Sequence, residues 1–220
     1  MALSYVLTTC AQELYLHRSR THRAITFHPL ICQAFRMWIW LTHFGVTAKT
    51  WVAVHRKHHS KSDTVEDPHS PVVHGLWAVL TKGVLMYRKA ARDSELLKTY
   101  GVGIPEDWMD THLYTKHRWR GPLVFLVIEM LLFGPLHGGL IWLFQISISP
   151  IWAAGFINGV FHCIGYRNTI TKDHSRNFFP IAIVFCGAEL HNNHHANPAS
   201  AKASVHWWEF DGGWMAIRTM

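Results

Sequence analysis

Residues 122–133 (PLVFLVIEMLLF), 134–139 (GPLHGG) and 140–162 (LIWLFQISISPIWAAGFINGVFH) follow one another without a break, and their reading decides the fold. Two apolar segments around a Gly-rich turn predict a helical hairpin at 122–162 that crosses a membrane, whose hydrocarbon core is about 30 Å thick. Pro150 is expected to kink the second helix rather than end it, because neighbouring helices can satisfy the freed carbonyl. Glu129, costly against lipid, is expected to face the bundle interior.

Outward from the hairpin, residues 1–16 are apolar but short for a crossing, and read as the last half of a helix. Residues 30–54 are apolar and aromatic but carry Arg36, His43, Gly45 and Lys49. A charge at the bilayer centre costs roughly 3 kcal/mol, so this stretch is expected to lie in the interface or re-enter rather than span. Residues 55–120 and 166–220 are mainly polar and expected to face water. The expected architecture is an all-α, polytopic membrane helical bundle with a cytoplasmic histidine-rich cap, one domain over residues 1–220.

Composition supports a membrane setting: 49% of the 220 residues are hydrophobic and 16% charged, where a soluble domain carries about 25% charged. Mean hydropathy is only +0.05, so the apolar spans are balanced by a large polar portion. The net charge of +7 suits an anionic leaflet or an anionic substrate. No basic run is interleaved with aromatics as a nucleic-acid groove requires, so no nucleic-acid partner is expected. Cys10, Cys32, Cys163 and Cys186 form no CxxC pair; three of the four sit in apolar stretches, so buried reduced thiols are the expectation.

Histidine is the outlier, with 18 residues, and imidazole is the commonest metal-ligand side chain. His17 and His22 form HxxxxH; His55, His58 and His59 form HxxHH, as do His191, His194 and His195. Positions i, i+3 and i+4 share a helix face, so each HxxHH aims three imidazoles at one place. The HxxxxH pair lies about 140° apart on an ideal α-helix, which suits ligands reaching toward different metals or a helix end. Eight imidazoles exceed the four ligands of one zinc site and imply two metals; Zn, Cu, Fe and Ni all accept such a set. The boxes can share a site only if they lie on one side of the membrane. A hairpin that returns to its starting side, and a stretch 30–54 that does not cross, meet that condition. Arg18, Arg20, Arg23, Arg56, Lys57 and Lys61 around the boxes make that side cytoplasmic.

The order HX4H, HX2HH, HX2HH around a membrane hairpin resembles the integral-membrane fatty acid desaturase family, and the likeness runs through most of the chain. Ser62-Asp-Thr, Glu66-Asp-Pro-His-Ser-Pro71, Trp51 before box two, Asn158-Gly-Val-Phe-His162, Gly165-Tyr-Arg-Asn168 and Asp173-His-Ser-Arg-Asn177 resemble bacterial members acting at the Δ9 position. The resemblance implies that two Fe ions are held by the eight box histidines and His162, with Asn158 holding a metal-bound water. It implies O2 as co-substrate and insertion of a cis double bond into a saturated acyl chain carried as acyl-CoA or acyl-lipid. The gap before Trp51 lacks the Gln common in acyl-CoA-type relatives, so the carrier stays open. A separate electron donor, ferredoxin- or cytochrome b5-type with its reductase, is implied because no heme-binding HPGG is present. The expected location is a bacterial inner membrane, multi-pass, with the active site facing the cytoplasm.

Trp51 is a candidate for lining the substrate path, and Asp67, Asp173 and Glu189 are candidates for supporting ligating histidines. The basic residues Arg88, Lys89, Arg92, Arg118 and Arg120 are candidates for an anionic headgroup. His28, His43, His69, His74, His112, His117, His137, His174 and His206 are expected not to ligate. Family members carry a further hydrophobic region before box one, so the chain reads as truncated at its N-terminus. Two alternatives remain at this level: a related di-iron hydroxylase or ketolase, and a histidine-rich metal transporter, which would place its ligands near the bilayer midplane.

Overall fold

A computed structural model describes residues 1–104 and 106–220. Helix α1 (Ala2–Cys10) continues without interruption into a π-helical segment, Ala11–Thr21. Helices α2 (Pro29–Thr42) and α3 (Ala48–Lys61) follow, then α4 (Pro71–His74), α5 (Leu76–Ala90) and α6 (Ser94–Tyr100). After a short π turn at Asp110–Tyr114 come α7 (Arg120–Phe133) and α8 (Pro135–Pro150), the latter extended by a second π-helical segment, Ile151–Val160. The last part holds α9 (His191–Ala196), α10 (Gly212–Thr219) and a minimal parallel sheet of β1 (Ile181–Ala182) and β2 (Phe210–Asp211). Helix accounts for 62% and strand for 3% of the chain, so the protein is mostly helical, as the sequence implies.

Helices α7 and α8 pack side by side. The turn between them is tighter than the six residues GPLHGG suggest. Gly134 alone makes it, at φ +80°, and α8 begins at Pro135, because proline at the first helical position loses no hydrogen bond. Gly138 then lets α8 approach the backbone of α7 at Glu129. Glu129 is 4% exposed and faces inward. Pro150 does not end the helix; the chain changes there to i→i+5 pairing and runs on to Val160.

One helix among the described residues, Pro135–Val160, is long and apolar enough to cross a membrane, with a mean hydropathy of 1.7 over its best window. At 14 residues, α7 spans only about 21 Å at 1.5 Å per residue. Leu123, Val127, Leu131, Leu136, Leu140 and Phe144 on this pair all face outward. A contiguous exposed apolar face of that kind marks an interaction surface.

The stretch 30–54 is two helices. The chain breaks at 43–47, where Gly45 takes φ +74°, and a Thr47–Thr50 capping box restarts it as α3. Its charges are paired rather than free: Arg36 with Asp107 and Asp110, and Lys49 with Glu106. The acidic 106–110 segment therefore folds back onto α2 and α3. Helix α5 crosses the π-helical end of α8 at backbone contact distance, with Gly83 against Ala154 and Gly155 against Leu80. Small residues permit this close approach. It brings Asn158 and His162, at the end of α8, toward α3.

Candidate metal centre

Box one is built by the π-helical segment. On an α-helix His17 and His22 would diverge, but i→i+5 pairing (His22 N–H to His17 carbonyl, 3.2 Å) stacks residues five apart. Their ring centroids lie 4.8 Å apart, so of the two expectations, different metals or a helix end, the second holds: His22 caps the segment and both rings converge on one place. Such segments are rare and frequent at functional sites. Box two lies on the last turns of α3 and box three on α9, where i, i+3 and i+4 share a face.

The nine histidines fall into two sets. His17, His22, His55, His59 and His194 form one, and His58, His162, His191 and His195 the other; within each set the ligand atoms lie within 4.8 Å of one another. The two HxxHH boxes are split between the sets, so α3 and α9 each contribute to both. His69 was set aside by sequence reasoning, yet it is 3% exposed, stacks on His58 at 4.7 Å and joins His58 and Asp67 in a third grouping.

Carboxylates fix the ring orientation. Nδ1–H of His17 donates to Glu13 (2.8 Å), of His58 to Asp67 (2.9 Å), of His162 to Asp63 (2.9 Å) and of His195 to Asp173 (2.8 Å). An ionised carboxylate only accepts, so the proton sits on Nδ1 and the Nε2 lone pair is free. Glu13 is itself held by Arg18 (3.0 Å), a fully buried guanidinium that also forks onto Asp211 at 3.0 and 3.1 Å. Arg18, read from the sequence only as one of the basic residues marking the cytoplasmic side, is thus part of this support. Glu189, expected beside a histidine, instead accepts from the backbone N–H groups of Phe185 (2.9 Å) and Gly187 (3.2 Å); both its oxygens are engaged by the turn that launches α9. Asparagines Asn192 and Asn193 tie that six-residue helix down through Asn168, Thr169, Asn177 and Glu209.

Burial drives His55, His59, His191, His194 and His195 well below the ordinary imidazole value, and burial with His17 pushes His22 down to about 2. His58 is the exception: burial opposes its charge, but the Asp67 carboxylate outweighs burial and raises it. Asp63, although burial pushes it up, is brought down to about 2 chiefly by the hydrogen bond it accepts from His162, with those from the His174 backbone and Ser70 adding to it.

The donor set fits metal ions. Nε2 of His22, His58 and His195 is buried with no partner among the described residues, an arrangement costing about 1–3 kcal/mol per group if nothing binds there. Nε2 of His194 lies 2.9 Å from Nε2 of His17 and 3.2 Å from that of His59, while His55–His59 and His162–His191 meet at 3.1 and 3.0 Å. One ring proton cannot serve two neighbours, whereas a shared cation satisfies every lone pair. Donors sharing an ion at bonds of about 2.1 Å stand roughly 3.0–3.4 Å apart, and these spacings are of that order.

A cavity of about 430 Å³ adjoins the cluster, lined by His17, His55, His69 and His191 at the histidines and by Trp51 and Asn158 beside them. Trp51 stacks on His55 at 4.7 Å. Asn158 donates its amide to the Ala153 and Ala154 carbonyls (3.3 and 3.4 Å). Arg88, Arg92 and Arg118 also line the cavity.

A family model for fatty acid desaturases matches residues 1–218. The chain belongs to the fatty acid desaturase family. Among its relatives, the Delta-9 desaturase-like 4 protein of Arabidopsis thaliana is 29% identical over 97% of this chain and 70% of its own. The sn-1 stearoyl-lipid 9-desaturase of Synechocystis sp. is 30% identical over 98% and 66%. The acyl-CoA C20 Delta5-desaturase of Anemone leveillei is 30% identical over 100% and 69%. These relatives differ in carrier and in double-bond position, so family membership supports an oxidoreductase of lipid metabolism without choosing between them.

Proposed function

We propose that this protein is an oxygen-dependent fatty acyl desaturase of the Δ9 type, with one iron held by His17, His22, His55, His59 and His194 and a second by His58, His162, His191 and His195. The observation that carries the reading is the convergence of two buried histidine sets on the wall of one cavity, in a chain of the desaturase family. Bound iron, with O2 and two external electrons, supplies the oxidant that removing hydrogen from an unactivated methylene demands and that no side chain provides.

The remaining work belongs to the chain. Glu13, Asp67, Asp63 and Asp173 hold the Nδ1 protons and keep the Nε2 lone pairs inward. Asn158, at the cavity wall next to the four-histidine set, orients a water on that metal. Trp51, with Val54, Val84 and Ile157, gives the acyl chain an apolar, water-excluding wall. Arg88, Arg92 and Arg118 meet the anionic end of the substrate, CoA or a lipid phosphate, and thereby set how deep the chain reaches. Electrons come from a separate ferredoxin- or cytochrome b5-type donor. The α7–α8 hairpin crosses the membrane and returns, in a multi-pass arrangement in a bacterial inner membrane that keeps the histidine cluster on the cytoplasmic side.

Expression in a desaturase-free host, followed by mass spectrometry of total fatty acids, tests the proposal. A new monounsaturated species with its double bond at carbon 9 is expected, and its loss on His194→Ala. A hydroxylated fatty acid, or no new species with competent donors present, contradicts it.

A further inference from the structure

Cys10 and Cys186 lie 176 positions apart, one at the end of α1 and the other in the loop leading into box three, yet their Sγ atoms approach to 3.2 Å. Both are free thiols, Cys186 buried and Cys10 half-buried, set among Leu14 and Phe27. A disulfide needs Sγ atoms about 2.05 Å apart, so about 1 Å of movement separates the pair from a bond. Their position gives that bond a consequence. The Cys186 carbonyl accepts from Arg18 (3.2 Å), Arg18 holds Glu13 (3.0 Å), and Glu13 holds His17 (2.8 Å). On the other side, Cys186 is five residues from His191, the first ligand of box three.

We propose that Cys10 and Cys186 are an oxidisable pair whose disulfide ties box one to box three behind the metal centre. The oxidant is a hydroperoxide. One thiolate attacks its O–O bond, leaving a sulfenic acid and releasing water; the second thiol displaces the sulfenic oxygen as a second water. Two thiols and one hydrogen peroxide thus give one disulfide and two waters, the sulfurs losing two electrons and the peroxide gaining them. The link joins residues 176 positions apart and holds the two boxes together whether or not metal is bound. Cys32 does not compete, its Sγ being turned to the Phe27 carbonyl at 3.7 Å, and the exposed Cys163 has no thiol partner among the described residues.

The test uses the full, metal-loaded chain in lipid nanodiscs, treated with hydrogen peroxide, alkylated, digested without reduction and mapped by mass spectrometry. The expected product is a peptide pair joined through Cys10 and Cys186, two hydrogen atoms lighter than the parts and reopened by dithiothreitol. Cys10→Ser and Cys186→Ser each abolish it, and Cys163→Ser leaves it intact. Metal release to a chelator is expected to slow about fivefold in the oxidised protein relative to the reduced one, with no such difference in either serine variant. Sulfinic acid on either cysteine without cross-linking, a link through Cys32 or Cys163, or a Cys10–Cys186 link that leaves metal release unchanged would overturn the proposal. The thiol map is independent of turnover, so it stands or falls apart from the desaturase assignment.

Discussion

At His58 and His162 the second ring nitrogen is what makes the first useful. Asp67 and Asp63 accept hydrogen bonds from the Nδ1–H groups at 2.9 Å each, so both rings present Nε2 as a fixed lone pair. Replacing such a carboxylate costs typically 10–100-fold in metal affinity. Asp67→Asn and Asp63→Asn are therefore expected to weaken iron binding by about that factor while the protein stays folded. Chelator competition, with circular dichroism as the folding control, reads this; unchanged affinity in both variants would count against the supporting role. Legibility at this scale followed sequence distance. Asp67 and Asp173 sit in motifs near the boxes and could be nominated. Glu13 is four residues before His17, a spacing that brings side chains together on a helix, and could have been. Asp63 meets His162 across 99 positions and Asp211 meets Arg18 across 193; no local pattern carries such pairings.

The elements that matter are those that depart from the regular α-helix. The HxxHH boxes were readable because i, i+3 and i+4 coincide on an α-helix. HxxxxH was half readable: a helix end was one of its two expectations and His22 caps the segment, but nothing in AQELYLHRSRT signals the i→i+5 pairing of this segment, which packs against α2 and α3. The crossing of α5 over the end of α8 depends on Gly83, where a Cβ would overlap the Ala154 carbonyl. Overpacking of this kind costs about 1–3 kcal/mol. Gly83→Leu is expected to lower the melting temperature in detergent by roughly 2–10 °C, and to disturb Asn158 and His162 at the end of α8. Gly139→Ala, where a Cβ meets nothing within 4 Å, is the control and should not destabilise. Equal melting of both variants would show that the close crossing does not matter.

Across the whole molecule, an interior in which polar side chains are about as numerous as apolar ones ties stability to pH and to metal. His43 and His69 are buried and neutral, pushed by burial down to about 4 and about 3, whereas an unfolded histidine titrates near 6.5. Below that value the unfolded chain binds protons that the folded chain does not, so stability must fall as pH drops from about 6.5 toward 4. Thermal melts of metal-stripped protein should show a falling midpoint between pH 7.5 and 5; a flat profile would mean these rings are not buried neutral. The apolar face of α7 and α8 was legible in the sequence as a continuous hydrophobic run. Arg88, Arg92 and Arg118 could be nominated as basic residues, but their meeting on one cavity with the histidines was not legible, because it arises only in the folded chain.

The proposed enzyme depends above all on two histidine sets each holding one metal. Iron per chain, measured by elemental analysis on protein purified after anaerobic reconstitution, tests that most directly. About two iron atoms per chain are expected, falling to about one in His58→Ala, which empties only the four-histidine set. One iron in the unaltered protein, or stoichiometric zinc with no iron, would contradict it.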